Sequence, residues 1–384
     1  MAVEIAMTAA PQTLLQVATP ALILDEARLA ANVRRMDDHL APFGVGFRPH
    51  VKSVKSPAVI RDFLGGAVPI TVSTLLEARM FAEAGFNDIL YAVGIVPAKL
   101  DAVCALAATG VRMQIILDDA GVADDIAHAL AGRSGVTALI EVDCDGHRSG
   151  IAPDADDLLV IARTLAEAGV FGGVMTHAGE SYACEGADAI AAHAELERSG
   201  LVRAAERLRA AGLACPVVSM GSTPTALFAR ALEGITEVRA GVYMFQDLVM
   251  AGIGVCRPDQ IALSVLATVI GYQKTQGRLV IDAGWMAMSR DRGTASQRVD
   301  QGYGLVCDGA GAIIGDLVIT SVNQEHGLVG NRDGTPIDLS AYPIGIRLRV
   351  LPNHACATAA QHTAYVLADS SGKVTAHYPR FSGW

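Results

Sequence analysis

The chain has 384 residues, 51% of them hydrophobic and 18% charged, with a formal net charge of −10. That length accommodates a large domain beside a smaller one, and no apolar run reaches the roughly 20 residues needed to cross a bilayer. An acidic balance without a Lys/Arg cluster disfavours nucleic acid and points to small-molecule partners. Seven cysteines without a Cys-x-x-Cys pair predict reduced thiols. Residues 1–14 lack a basic n-region and carry Glu4 inside their one apolar patch, which predicts no secretory leader and a cytoplasmic location.

Residues 21–24 predict a short strand, after which Asp25 caps a helix whose Leu29, Val33, Met36 and Leu40 recur at helical spacing. Eight further apolar runs follow, at 46–52, 70–74, 88–93, 112–117, 137–143, 171–177, 216–221 and 237–241, separated by alanine-rich helical stretches. Near-continuous apolar character suits strands buried on both faces of a parallel sheet. Thr74 with Glu77 forms a capping box for a helix that Gly85 stops. Eight strand–helix units predict a (β/α)8 barrel over 18–256, with a doubly wound open sheet as the rival. Beyond Cys256 the pattern turns to alternation, as in Ile344, Ile346, Leu348 and Val350 with Gly345, Arg347 and Arg349 between them. This predicts a second, mainly β domain formed by 257–384 with 1–17.

In a barrel the active site lies at the C-terminal ends of the strands, so the polar residues there form the candidate set. Lys52 ends the first strand, in Arg48-Pro49-His50-Val51-Lys52; a lysine amine can form a Schiff base with a carbonyl cofactor, or be a solvated charge. His177 ends the sixth and is either a structural histidine or a member of the same rim. After the seventh strand Gly221-Ser222-Thr223 allows close backbone approach, offers hydroxyls and opens a helix, which suits a phosphate as well as an ordinary cap. Gly241-Val242-Tyr243 after the eighth adds amides where barrel phosphate sites lie. Arg148, after the fifth strand, and Arg239, within the eighth, are either rim groups or salt-bridged scaffold. A lysine, a phosphate cradle and a histidine on one rim point to pyridoxal phosphate (PLP). In the second domain an extended segment would put His354 and Cys356 on the same side. The pair is either a chance juxtaposition or a metal site, and in the second case an imidazole and a thiolate suit Zn2+, with open positions left for substrate or water.

Arg-Pro-His-Val-Lys at 48–52, Thr-His-Ala-Gly at 176–179 with Tyr182 nearby, Gly-Ser-Thr at 221–223, Arg-Ala-Gly-Val-Tyr at 239–243, Gln-Glu-His-Gly at 324–327 and Pro-Asn-His-Ala-Cys at 352–356 stand together in this chain. With these motifs it resembles, over most of its length, the D-threonine aldolase and D-serine dehydratase group of alanine-racemase-like PLP enzymes. The resemblance implies an internal aldimine on Lys52, His177 against the pyridine ring and Arg239 at its nitrogen. It also implies that 221–223 and 241–243 hold the phosphate, and that Tyr182 and Arg148 belong to the catalytic rim. An arginine that keeps its proton leaves the ring a weaker electron sink, so help from a metal gains value. The family implies such a divalent ion at the substrate's β-hydroxyl, with His354 and Cys356 matching its ligands, and a head-to-tail homodimer.

Dehydration and retro-aldol cleavage both start from a D-3-hydroxy amino acid and part at the next bond broken. The aldolases of this group resemble His-Cys-Asp at the ligand positions, whereas His-Ala-Cys, as here, resembles the dehydratases. A thiolate selects Zn2+, and a carboxylate suits harder ions such as Mn2+. The expected activity is a PLP- and metal-dependent dehydratase; the alternatives are a D-threonine aldolase and, more remotely, a non-catalytic PLP-binding protein. Arg290 and Arg292, which flank Asp291, either tie a surface loop together or clamp a second substrate carboxylate. The clamp favours D-threo-3-hydroxyaspartate, converted to oxaloacetate and ammonia, over D-serine, converted to pyruvate and ammonia.

Overall fold

The computed structural model of the chain describes residues 12–384; most of the 1–14 stretch read for a leader lies outside them. The chain divides into two compact units, one of Ala30–Arg257 with Phe381–Trp384, the other of the described residues up to Leu29 with Pro258–Arg380.

Apolar runs that are buried on both faces become strands, and nine of them precede residue 241: β1 (Ala21–Asp25), β2 (Gly46–Pro49), β3 (Ile70–Val72), β4 (Asp88–Gly94), β5 (Arg112–Leu117), β6 (Val136–Glu141), β7 (Phe171–Met175), β8 (Val217–Met220) and β9 (Glu237–Ala240). The eight from β2 to β9 form one sheet in the order β2-β9-β8-β7-β6-β5-β4-β3, and every pairing within it is parallel. A parallel bridge between His50 and Thr71, with Val51 N–H on the Thr71 carbonyl at 2.9 Å, joins the two ends. The result is a barrel and not the doubly wound rival. A helix follows each of its strands, from Pro57–Leu64 after β2 to Leu248–Gly252 after β9.

Local signals act largely as the sequence implies. Asp25 Oδ1 accepts the Arg28 N–H at 3.1 Å, and Leu29, Val33, Met36 and Leu40 are buried along one face of Glu26–Leu40. Thr74 caps Leu75–Glu83 by accepting the Glu77 N–H at 3.0 Å, and Gly85 follows the helix at φ +90°. The Glu77 carboxylate departs from the capping box: it accepts the N–H of Ser73 at 2.7 Å and pairs with Lys55 Nζ at 3.1 Å.

The other unit is built on eight later strands, β10 (Leu263–Gln273), β11 (Arg278–Ile281), β12 (Leu305–Asp308), β13 (Ile313–Val322), β14 (Gly327–Asn331), β15 (Arg347–Leu351), β16 (Ala364–Ala368) and β17 (Val374–Pro379). β10 to β15 close on themselves in the order β11-β14-β13-β12-β15-β10, because β10 also pairs with β11. β1 joins this sheet, between β10 and β16, whereas the sequence reading placed residues 21–24 in the barrel segment. A four-residue apolar run specifies a strand but not its partner; Ile23 finds its core with Leu266, Val366 and Ala368. The alternation at 347–351 holds for Leu348 and Val350, but Ile344 precedes the strand and is exposed. Arg349 is buried as well, its Nε donating to Ser264 Oγ at 2.9 Å.

Among the described residues no helix is long and apolar enough to cross a membrane. All seven cysteines are free thiols.

Candidate active site

The C-terminal mouth of the barrel gathers most of the candidate residues. β2 ends at Pro49, and Lys52 lies in the turn that follows, exposed and with no carboxylate in ion-pairing distance among the described residues. Its backbone N–H donates to His50 Nδ1 at 3.4 Å, so that nitrogen carries no proton, and His50 Nε2 faces Ser73 Oγ at 3.3 Å. Burial pushes the His50 imidazole well below its ordinary pKa, with the charges of Lys52 and Arg239 acting in the same direction. His177, two residues past β7, has Nδ1 at 3.2 Å from the Gly221 carbonyl. Burial first and Lys52 next push it down to about 3, with Arg239 and Arg148 adding to the effect.

Arg239 projects from β9 into buried surroundings, with Nε on Ser219 Oγ at 2.9 Å and Nη2 on the carbonyl of Thr176. Its contacts are neutral oxygens, so its charge has no direct carboxylate partner and burial lowers its pKa. Arg148 is half of each alternative considered for it: it is exposed and acts on His177, and it also pairs with Glu141 at 3.4 Å. The Tyr182 ring lies 6.4 Å from that of His177, centroid to centroid, and is 37% exposed.

The loops after β8 and β9 stand beside these groups. Gly221 has φ +135°, and a Cβ there would lie 2.1 Å from the Arg239 carbonyl oxygen, so only glycine fits. The Ser222 hydroxyl is committed to capping Thr223–Phe228, accepting the Thr225 N–H, and it also meets Ser181 Oγ at 2.8 Å. Thr223 Oγ1 is buried without a hydrogen-bond partner. Gly241 faces His50, while the Tyr243 ring packs edge-on against Phe47 with its hydroxyl buried and unpartnered. Tyr243 and Val242 can therefore serve a phosphate through the backbone rather than through the phenol. An orphaned buried hydroxyl, a glycine-tight cradle and two cations without carboxylate partners fit an anionic aromatic cofactor such as PLP.

In the β unit the expectation of an extended segment at 354–356 is corrected. His354 is the N-cap of the short helix Ala355–Ala359 and Cys356 lies in its first turn, because the chain must reverse after β15. The imidazole is exposed, the thiol half-buried, and His354 Nδ1 lies 3.1 Å from Asp291 Oδ2. That hydrogen bond holds the Asp291 carboxyl below its ordinary pKa. Among the described residues no three His, Cys, Asp or Glu side chains are placed to hold an ion. Arg292 pairs with Asp300 at 2.5 Å and covers the Tyr303 ring at 5.0 Å; Arg290 lies over Trp285 at 5.5 Å.

Three residues stand out that the sequence reading did not single out. His50 lies in the Arg-Pro-His-Val-Lys motif, and its spacing of two from Lys52 was the available signal. Glu197, buried in Ala187–Ala210, accepts the N–H groups of Ala178 and Gly221 at 3.2 and 2.9 Å; an acidic residue in a long helix carries no signal of that kind. Asp291 read as the internal partner of its flanking arginines, which bind elsewhere.

The depressed imidazoles have a measurable consequence. The unfolded chain takes up protons near pH 6.5 that folded His50 and His177 refuse, so stability without cofactor should fall as pH drops through about 6.5. His177→Gln should flatten that dependence, and the His177 ring signals should stay unmoved between about pH 8 and pH 5. A ring titrating near its ordinary value would show that burial and the rim cations do not act on it.

A model of the alanine racemase N-terminal domain matches residues 24–248, and a serine dehydratase domain model matches 262–368. The chain is 51% identical over 380 residues to the D-threo-3-hydroxyaspartate dehydratase of Delftia sp. (strain HT23), covering 97% of this chain and 99% of that one. It is 28% identical to the D-serine dehydratase of Dictyostelium discoideum, over 95% and 97% of the two chains. It is 30% identical to the D-threonine aldolase of Arthrobacter sp., over 92% and 90%. The solved structure of the Delftia enzyme superposes with a TM-score of 0.94 at 50% identity, covering 97% of this chain and 100% of that one. A cysteine-to-alanine variant of a D-threo-3-hydroxyaspartate dehydratase, solved in a metal-free form, gives the same TM-score of 0.94, 50% identity and 97% and 100% coverage. The chain belongs to the alanine-racemase-like family of PLP-dependent lyases that contains these dehydratases and aldolases.

Proposed function

We propose that the protein is a PLP- and divalent-metal-dependent dehydratase of D-3-hydroxy amino acids, acting best on D-threo-3-hydroxyaspartate and releasing oxaloacetate and ammonia. One observation carries the reading: at the barrel mouth the charges of Lys52 and Arg239 both act on two buried imidazoles, His50 and His177, in a chain 51% identical over 380 residues to such an enzyme. The bound cofactor would supply the electron sink that makes the substrate's α-proton removable. Lys52 would hold the cofactor and, once freed by substrate, take that proton from Cα. His177 would lie against the cofactor ring, and Arg239, fixed by Ser219 and Thr176, would meet the ring nitrogen while keeping its own proton. Tyr182 and Arg148 would line the same rim, with 221–223 and the backbone of 241–243 around the phosphate.

His354 and Cys356 would hold the ion, whose Lewis acidity makes the β-hydroxyl a better leaving group. The thiolate favours Zn2+ over Mn2+, and so favours dehydration over the aldolase alternative. Loss of water from hydroxyaspartate leaves an enamine that tautomerises and hydrolyses to oxaloacetate and ammonia. Free thiols throughout suit a reducing cytoplasm, and a homodimer is the proposed assembly. Assaying ammonia, keto acid and glycine from D-threo-3-hydroxyaspartate, D-serine and D-threonine tests the whole reading. Glycine as the main product would make the protein an aldolase.

Three further outcomes are expected. Lys52→Ala should lose turnover and the visible absorbance of lysine-bound cofactor, whereas Lys55→Ala, whose amine is engaged with Glu77, should keep the absorbance; the reverse pattern would move the cofactor elsewhere. Chelation should stop elimination while leaving cofactor absorbance intact, added Zn2+ should restore it, and Cys356→Ala should behave as the chelated protein. Full activity after chelation would remove the metal from the mechanism. Of the two arginines considered for a substrate carboxylate, Arg292 is occupied by Asp300 and Tyr303, so Arg290 is the candidate clamp. Arg290→Ala should cost hydroxyaspartate turnover about 1.5–3 kcal/mol more than D-serine turnover, compared as kcat/KM; equal losses would make Arg290 structural.

A further inference from the structure

We infer that Asp291 is the positioning residue of the metal ligand His354, an inference that rests on the metal reading above. Asp291 Oδ2 lies 3.1 Å from His354 Nδ1. With Nδ1–H donating to a carboxylate, the ring is fixed in the tautomer whose lone pair is on Nε2, and the negative partner makes that nitrogen the better donor to an ion.

The carboxylate is itself held from several sides. Its Oδ1 accepts the Gly293 N–H at 2.6 Å, the Asp291 N–H donates to Ser289 Oγ at 3.2 Å, and the Asp291 carbonyl accepts Asn353 Nδ2 at 3.0 Å. Asn353 is buried and immediately precedes His354. Its Nδ2 also donates to the Gly302 carbonyl at 2.7 Å, and its Oδ1 accepts Thr294 Oγ1–H at 3.0 Å. Thr358 Oγ1 then donates to the Met288 carbonyl at 2.7 Å. The two segments that supply acid and imidazole are thus stitched together on either side of the contact. Ser289 holds φ 75°, a left-handed conformation that a serine rarely adopts, where the chain turns toward Asp291. Asp291 does not read as a third ligand: one oxygen is committed to the Gly293 amide, the other faces the imidazole, and no three-ligand cluster exists among the described residues. The segment 288–294 therefore divides its roles, with Asp291 serving the metal ligand and Arg290 left for substrate.

The test uses full-length protein with cofactor bound, loaded with Zn2+ for affinity and with Co2+ for spectroscopy. Wild type, Asp291→Asn, Asp291→Ala and Cys356→Ala are compared. Asp291→Ala should bind Zn2+ about 10–100-fold more weakly in competition with a chromophoric chelator. Asp291→Asn, which can still accept the Nδ1–H without the charge, should fall between it and wild type. In both variants the Co2+ complex should keep its thiolate charge-transfer band and d–d intensities, cofactor absorbance and circular dichroism should be unchanged, and excess Zn2+ should restore turnover, which it will not do for Cys356→Ala. Unchanged Zn2+ affinity in Asp291→Ala would reduce Asp291 to a loop residue, and a change of coordination number in the Co2+ spectrum would make it a ligand instead; either overturns the inference. Absence of a thiolate band in the wild type would remove the metal reading, and this inference with it.

Discussion

Two cations without carboxylate partners, Lys52 and Arg239, set the terms at the barrel mouth. A buried guanidinium that touches only Ser219 and the Thr176 carbonyl has lost hydration without gaining an ion pair. Such a charge is costly to place. Burial first, and then its field and that of Lys52, keep His50 and His177 unprotonated, so the imidazoles present neutral edges and faces rather than further positive charge. A rim of this kind is complementary to an anion. That electrostatic character, more than any single residue, ties the rim to its proposed cofactor.

The barrel keeps those cations in place with buried polar groups. Ser219 accepts from Arg239 and so must donate its own proton, which it does to Glu237 at 2.7 Å; Glu237 in turn pairs with Arg48 at 2.7 Å, and Arg48 with Asp88 at 2.7 Å. Breaking such a chain at one member leaves a buried charge uncompensated, which is more damaging than never having had the chain. Below the glycine-tight turn at 221, Glu197 takes up two backbone N–H groups that would otherwise be orphaned. Burial raises its pKa, and the Thr225 hydroxyl, the two backbone donors and the charge of Arg239 offset that only in part.

In the β unit the chain leading to Arg290 and Asp291 depends on a close backbone approach at Gly284, where a Cβ would lie within 2.3–2.5 Å of Gln324 O, Asn323 O and His326 N. The hairpin turn at 323–326 thereby seats Trp285 and Met286 through their N–H groups. Arg290 then lies over Trp285, and Asp291 over His354. The Gln-Glu-His-Gly motif thus begins in a turn whose carbonyls hold the start of Trp285–Met288.

What the residues by themselves determined was periodicity and rim chemistry. Eight apolar runs of strand length alternating with helical stretches specify eight parallel strands, since only a sheet covered on both faces keeps such runs dry. Residues just past the strand ends, Lys52, His177, Gly221 and Gly241, follow from chain order alone once the barrel is chosen. Chain order could not decide partners. The strand at 21–25 paired with β10 and β16, far away in sequence; the segment at 354–356 turned into a helix; and Arg349, on the supposed wet side of an alternation, was buried on Ser264. The same limit hid His50, Glu197 and Asp291, because what matters about each is a hydrogen bond set by how the folded segments pack. Local sequence encodes which backbone conformations and faces are favoured; which charge meets which imidazole is settled only when distant segments are packed and each buried polar group must find a partner.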